Sequence, residues 1–125
     1  MSSLNRVYIL GTLGSRPILQ STKNGKSFCR MSLATDNHFH NGEEEKKTTD
    51  WHTVHVFGRQ AEAATQYLDK GRQVLVEGKI FSQALGDTEN KIWRSWINAD
   101  RVTFMGGTKK QYMEHELSSE EENIN

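Results

Sequence analysis

Only one stretch of this chain repeats its apolar residues at a helical period. Almost every other apolar run repeats at two. Residues 59–70 put Ala61, Ala64, Tyr67 and Leu68 on one side of a helix, with Gly71 placed to cap its C-terminal end. Val7, Tyr8, Ile9 and Leu10 form a short strand-like run that ends in Gly11-Thr12-Leu13-Gly14. Lys23-Asn24-Gly25-Lys26 predicts a two-residue hairpin turn of type I′, because Asn-Gly tolerates positive φ at both central positions. Residues 28–35 then alternate, with Cys29, Met31 and Leu33 on one face and Phe28, Arg30 and Ser32 on the other. Residues 36–50 are polar, contain a second Asn-Gly (Asn41-Gly42) and a charge run, Glu43 to Lys47, and read as a long mobile loop. Residues 51–57 form a strand, and residues 74–76 open another that Gly78 interrupts as a bulge. A turn over 86–90 leads into a returning strand over 92–97, and residues 102–105 close the domain.

The order is β-β-β-α-β-β: an all-β chain with one short helix between the third and fourth strands. With a single proline, Pro17, there is little edge-blunting. A small closed barrel fits, and the five-stranded barrel with a helix at that position is the OB-fold, which binds oligonucleotides or oligosaccharides on one face. A five-stranded α+β sandwich is the competing arrangement. The domain is expected over 1–107, followed by a short flexible acidic tail over 108–125. The formal charge of zero divides unevenly: residues 1–110 carry +5 and residues 111–125 carry −5. A mildly basic body with an acidic appendage suits a polyanion-binding domain, or a neutral domain with a solvated tail.

The segment Trp51-His52-Thr53-Val54-His55-Val56-Phe57 is the most informative for function. Val54 and Val56 share a face with His52, while Trp51, Thr53, His55 and Phe57 share the other. On a barrel wall one of these faces is outside, so large aromatics interleaved with polar groups stand toward solvent. Nucleobases stacked on Trp51 and Phe57 account for that face, and stacking is sequence-tolerant because every base has a π-face. A second hydrophobic patch or a subunit contact is the alternative. Arg6, Arg59, Lys46 and Lys47 lie where a phosphate backbone can run, and Lys79 shares a face with Phe81. Trp93 and Trp96 have opposite parity, and Trp93 is taken as the one facing nucleic acid.

Other chemistries find little support. Cys29 is the sole cysteine, which excludes an internal disulfide and a cysteine-based zinc cluster; it reads as a buried structural thiol. His38 and His40 flank Phe39 without a second ligand motif, so no metal and no cofactor are expected. No apolar stretch approaches the roughly 20 residues that span a bilayer, and the first residues lack a hydrophobic signal core. A reduced cytosolic compartment fits. No Ser-His-Asp set, phosphate-cradling loop or paired carboxylates are evident, so the chain is read as not an enzyme. An OB-fold nuclease using scattered acids and a protein adaptor are the remaining alternatives.

The chain resembles the bacterial single-stranded DNA-binding protein family. The likeness rests on Leu4 to Gly14, Asn24-Gly25, Met31 to Thr35, Asp50 to Arg59, Ala61-Glu62, Tyr67 to Gly71, Val76-Glu77-Gly78 and Ala99 to Val102, in order and spacing over nearly all of residues 4–105. It implies an OB-fold subunit of a homotetramer that wraps single-stranded DNA in replication, recombination and repair, in the cytoplasm of a bacterium at its nucleoid. It also implies no enzymatic step and no membrane. The family's stacking aromatics fall on Trp51 and Phe57, with a further family tryptophan at Phe39. Its basic positions fall on Arg6, Lys46 and Arg59. The family's hairpin tryptophan falls at Leu85, and basic positions at Phe81, Gln83, Ala84 and Thr53, so Phe81 or Trp93 takes over there. The Trp-His pair of the family lies near a subunit contact, which puts His52 there. The family's acidic tip, which docks replication and repair proteins, ends in Pro-Phe; here Ser118 to Asn125 is acidic and lacks that end.

Overall fold

The computed structural model describes residues 2–106. Its elements are β1 (Val7–Leu13), β2 (Gln20–Ser21), β3 (Ser27–Asn41), β4 (Glu44–Phe57), α1 (Arg59–Tyr67), β5 (Gln73–Leu85) and β6 (Ile92–Phe104). The sheet order is β1-β5-β6-β4-β3-β2, and β1 also pairs with β3 at Thr12–Ala34 and Leu13–Leu33. That last pairing closes β1, β5, β6, β4 and β3 into a barrel, which excludes the open sandwich and gives the OB-fold arrangement. All neighbours are antiparallel except β4 and β6, which run parallel and touch only at Val54–Ile97 and His55–Asn98.

The inside of the barrel is filled by one face of each strand. Ile9 and Leu13, Cys29, Met31 and Leu33, Val54 and Val56, Val74 and Val76, and Ile97 form the core, and α1 adds Ala61 and Ala64 with Leu68 just beyond it. The period-two reading therefore assigned the inner faces of β3 and β4 correctly. Side chains too short to hold α1 off the barrel let it sit close to one end. Gln60 fastens it there, donating to Asp100 O at 2.9 Å and accepting from Val102 N at 2.8 Å. Those are backbone groups beside a bulge: Glu77 faces Arg101 but Gly78 faces Ala99, so Asp100 is the extra residue. Gly78 is needed at this point because a Cβ there would run into the carbonyl of Asn98.

Several expectations need correction. Residues 36–50 are not a loop: β3 and β4 continue outward as a two-stranded ribbon with a turn at Gly42-Glu43. Both faces of that ribbon meet water, so no apolar alternation betrays it. Polar cross-strand contacts hold it: Asn37 to Asp50 at 2.6 Å, Thr49 to Asp36 at 2.8 Å, and Lys47 to Asp36 at 3.7 Å. The turn at Asn24-Gly25 is a hairpin between β2 and β3, but not type I′. Only Gly25 has positive φ, Gly25 N donates to Thr22 O, and Thr22 N donates to Lys26 O across a longer loop. The helix stops at Tyr67 and not at Gly71, because Leu68 takes extended geometry and turns into the core. The strands expected over 92–97 and 102–105 are one strand, β6, carrying the bulge in its middle. The expected boundary at residue 107 and the acidic tail lie outside the described residues. Among the described residues, no helix is long and apolar enough to cross a membrane.

Candidate nucleic-acid interface

The outer face of β4 presents Trp51, Thr53, His55 and Phe57, as the alternation predicts. Register sets what lies beside them. Opposite these four on β3 stand Ala34, Ser32, Arg30 and Phe28. Across the parallel contact, the inward placement of Ile97 turns Trp96 outward, and the β5–β6 pairing sets Phe81 directly opposite Trp96. The result is a file of rings over four strands. Phe57 meets Phe28 at 5.2 Å, Phe28 meets His55 edge-on at 5.3 Å, His55 stacks on Trp96 at 5.5 Å, and Trp96 stacks on Phe81 at 6.1 Å. The indole N–H of Trp96 donates to Asn98 Oδ1 at 3.0 Å, which fixes its orientation.

Beside this file, beyond the short β4–β6 contact, the strands part. A groove of about 510 Å³ opens there, lined by Arg30, Thr53, His55, Gln83, Arg94, Ser95 and Trp96. A smaller recess of about 170 Å³ adjoins it, bordered by Trp51, His52, Ile80 and Ile97. His55 has its pKa lowered from the ordinary histidine value, first by burial and then by the charge of Arg30, which favours the neutral imidazole. His52 faces inward, half-buried, and its Nε2 shares a hydrogen bond of 2.8 Å with Thr35 Oγ1. Cys29 is fully buried, and burial pushes its thiol up to about 11. No group of three or more histidine, cysteine or acidic side chains among the described residues is arranged to hold a metal ion.

The residues singled out from sequence do not all meet. Trp51 is 61% exposed, rests one edge over Gly14, and leaves most of its ring to solvent. Phe57 is half-buried at the end of the ring file, with Lys26 Nζ 5.4 Å from its centroid and Phe28 tilted against it. Phe81 closes the other end, and Lys79 shares its face one pair away, opposite Asn98. Trp93 is exposed but pairs with Ala84 on the far side of the β5–β6 hairpin; it is Trp96 that joins Phe81. Phe39 and Lys46 oppose each other on the side of the ribbon away from Trp51, whereas Lys47 shares the side of Trp51 and is paired with Asp36. Arg6 lies 3.6 Å from Asp100, anchored by Asn5, whose side-chain amide exchanges two hydrogen bonds with the backbone of Ile80. Arg59 is exposed at the start of α1, two residues beyond Phe57. Sequence reasoning missed Arg30, Arg94, His55, Phe28 and Trp96 as a group. The outward parity of Phe28 with Arg30, and of Arg94 with Trp96, was readable, but nothing local says that β6 closes against β4.

A family model described as the single-strand binding protein family matches residues 4–105. The single-stranded DNA-binding protein 1 of Chlorobaculum tepidum is 34% identical over 87 residues, covering 69% of this chain and 54% of that protein. The chain thus spans about half the length of that curated relative. Among solved structures, a Plasmodium falciparum SSB complex with ssDNA superposes with a TM-score of 0.75 at 26% identity, covering 85% of this chain and 98% of that one. The wild-type single-stranded DNA-binding protein from Thermus aquaticus gives 0.71 at 30% identity, covering 84% of this chain and 52% of that one.

Proposed function

The chain belongs to the single-strand binding protein family, and from that premise we propose that it binds and protects single-stranded DNA without enzymatic chemistry, serving replication, recombination and repair. The observation that carries this reading is the open outer face of β4. Trp51 offers a ring 61% exposed there, beside a cation-lined groove and a file of packed aromatics. Bases stack on exposed rings, with Trp51 the principal platform and Phe81, Phe39 and Trp93 further ones. Phe57 supports the face from the end of the ring file. Arg6, Arg59, Lys46, Lys47 and Lys79 contribute phosphate contacts around it. Stacking on rings and salt bridging to phosphates carry no base-edge code, so binding is largely independent of sequence.

Four subunits assemble into a homotetramer in this reading, the acidic tail over 108–125 serves replication or repair proteins, and the protein works in the bacterial cytoplasm at the nucleoid. The resemblance supports the assembly and the location; for the tail the support is its acidic charge alone, since residues 108–125 lack the Pro-Phe of the family's docking tip. The deciding experiment is titration with a dT oligonucleotide and its duplex at several salt concentrations. Expected are quenched tryptophan emission, much weaker duplex binding, and a log-log salt slope of about −0.7 per phosphate contact. Equal affinity for duplex and single strand refutes the reading. Sedimentation at several protein concentrations tests assembly, and a monomer throughout refutes it.

A further inference from the structure

Among the described residues, the groove beside the ring file holds cations without counter-charges. Arg30 on β3 and Arg94 on β6 both line it, and neither is ion-paired among the described residues, whereas Arg6 and Lys47 each face a carboxylate. The strand order puts β4 between β6 and β3, so the two guanidiniums stand on either side of β4. Thr53 and His55 form the floor, and Ser95 and Gln83 add a hydroxyl and an amide. Among the described residues, no carboxylate lines the groove. Donors from two forks, with no acid among them, suit an anion, and the planar guanidinium matches phosphate oxygens bidentately. A volume of about 510 Å³ accepts a nucleotide-sized group.

The rings in the wall decide which part of a nucleotide enters. Trp96 has His55 on one face at 5.5 Å and Phe81 on the other at 6.1 Å. It therefore shows the groove an edge and offers no free face to a base. We propose that the groove is a phosphodiester seat, in which Arg30 and Arg94 grip the backbone of a single strand as it crosses β4 while its bases stack elsewhere. This rests on the reading of the chain as a single-strand binder. His55 reports on occupancy: it is faced by Arg30 from β3, by the groove's second cation, Arg94, from β6, and by the rings of Phe28 and Trp96. A phosphate on Arg30 cancels part of the charge that holds the imidazole neutral, so its pKa rises when the seat fills.

The test compares dT-oligonucleotide binding across salt for the wild type, R30Q/R94Q and R30K/R94K, with melting curves beside each. The glutamine pair is expected to flatten the salt slope by about 1.4 and to weaken binding about tenfold or more at low salt. Both arginines are exposed, so melting stays near that of the wild type. The lysine pair keeps the slope. In NMR titrations the His55 pKa rises on adding the oligonucleotide to the wild type or to R30K/R94K and stays put in R30Q/R94Q. Inorganic phosphate at matched concentration leaves it unmoved. An unchanged slope and affinity in R30Q/R94Q, with the wild type binding normally, overturns the seat and leaves the proposed function standing. An equal His55 response to inorganic phosphate overturns it in favour of a free-anion site. A wild type that binds no dT oligonucleotide overturns the functional reading, and the seat with it.

Discussion

Replacing Trp51 and Phe57 separately by alanine should split binding from stability in opposite directions. Trp51 is 61% exposed, so about two-fifths of a ring worth roughly 200 Å² is covered, or about 80 Å². At about 25 cal/mol per Å² its loss costs the fold at most about 2 kcal/mol. Its loss from a stacked base costs binding about 1–3 kcal/mol, a factor of about 5 to 150 in Kd. Phe57 is half-buried and packed on Phe28 at 5.2 Å, with Lys26 beside it. Truncating it removes area and an aromatic pair worth about 0.5–1.5 kcal/mol beyond that area, so the fold suffers more than the binding. Urea unfolding gives the first quantity, and anisotropy of a labelled dT oligonucleotide gives the second. Affinity in W51A equal to the wild type, or a larger binding loss in F57A than in W51A, refutes the reasoning.

Other perturbations probe the frame. Gly78→Ala pushes a methyl into the carbonyl of Asn98 at the bulge, where both parties are backbone, and should cost about 1–3 kcal/mol of stability in urea melts. With its thiol pushed up to about 11 and fully buried, Cys29 should react with a thiol reagent at pH 8 only as the chain unfolds; fast labelling of native protein contradicts this. His55 has a folded pKa below its unfolded value, so on acidification the unfolded chain takes up the proton first. Its contribution is complete above the unfolded pKa and is lost as pH falls through the folded one. The urea midpoint should therefore drop below pH 6.5, and H55Q should flatten that part of the profile.

Sequence periodicity reached the inner faces because burial writes itself into alternation: Cys29, Met31 and Leu33 opposite Val54 and Val56 are legible without coordinates. It failed on the ribbon over 36–50, where both faces are wet and pairing depends on hydrogen bonds between Asp36, Asn37, Thr49 and Asp50. The exposed placement of Trp51 followed from strand parity. The groove did not, since Arg30 and Arg94 lie 64 positions apart and meet only through the brief parallel contact of β4 with β6. The place of Trp96 was decidable in principle: once Ile97 is assigned to the core, Trp96 shares the outer face with Phe81 and Trp93 takes the opposite one. The separation of Phe39 and Lys46 from Trp51 has the same origin, because a continuous β3–β4 pairing carries parity through a segment read as irregular.

The central claim is that a single strand lies across the outer face of β4. Backbone and indole chemical shifts recorded with and without a dT oligonucleotide test it most directly. The largest changes are expected at Trp51, Thr53, His55, Arg30 and Arg94. Changes confined to the outer face of β1, at Tyr8 and Leu10, or to α1, with β4 unmoved, contradict it.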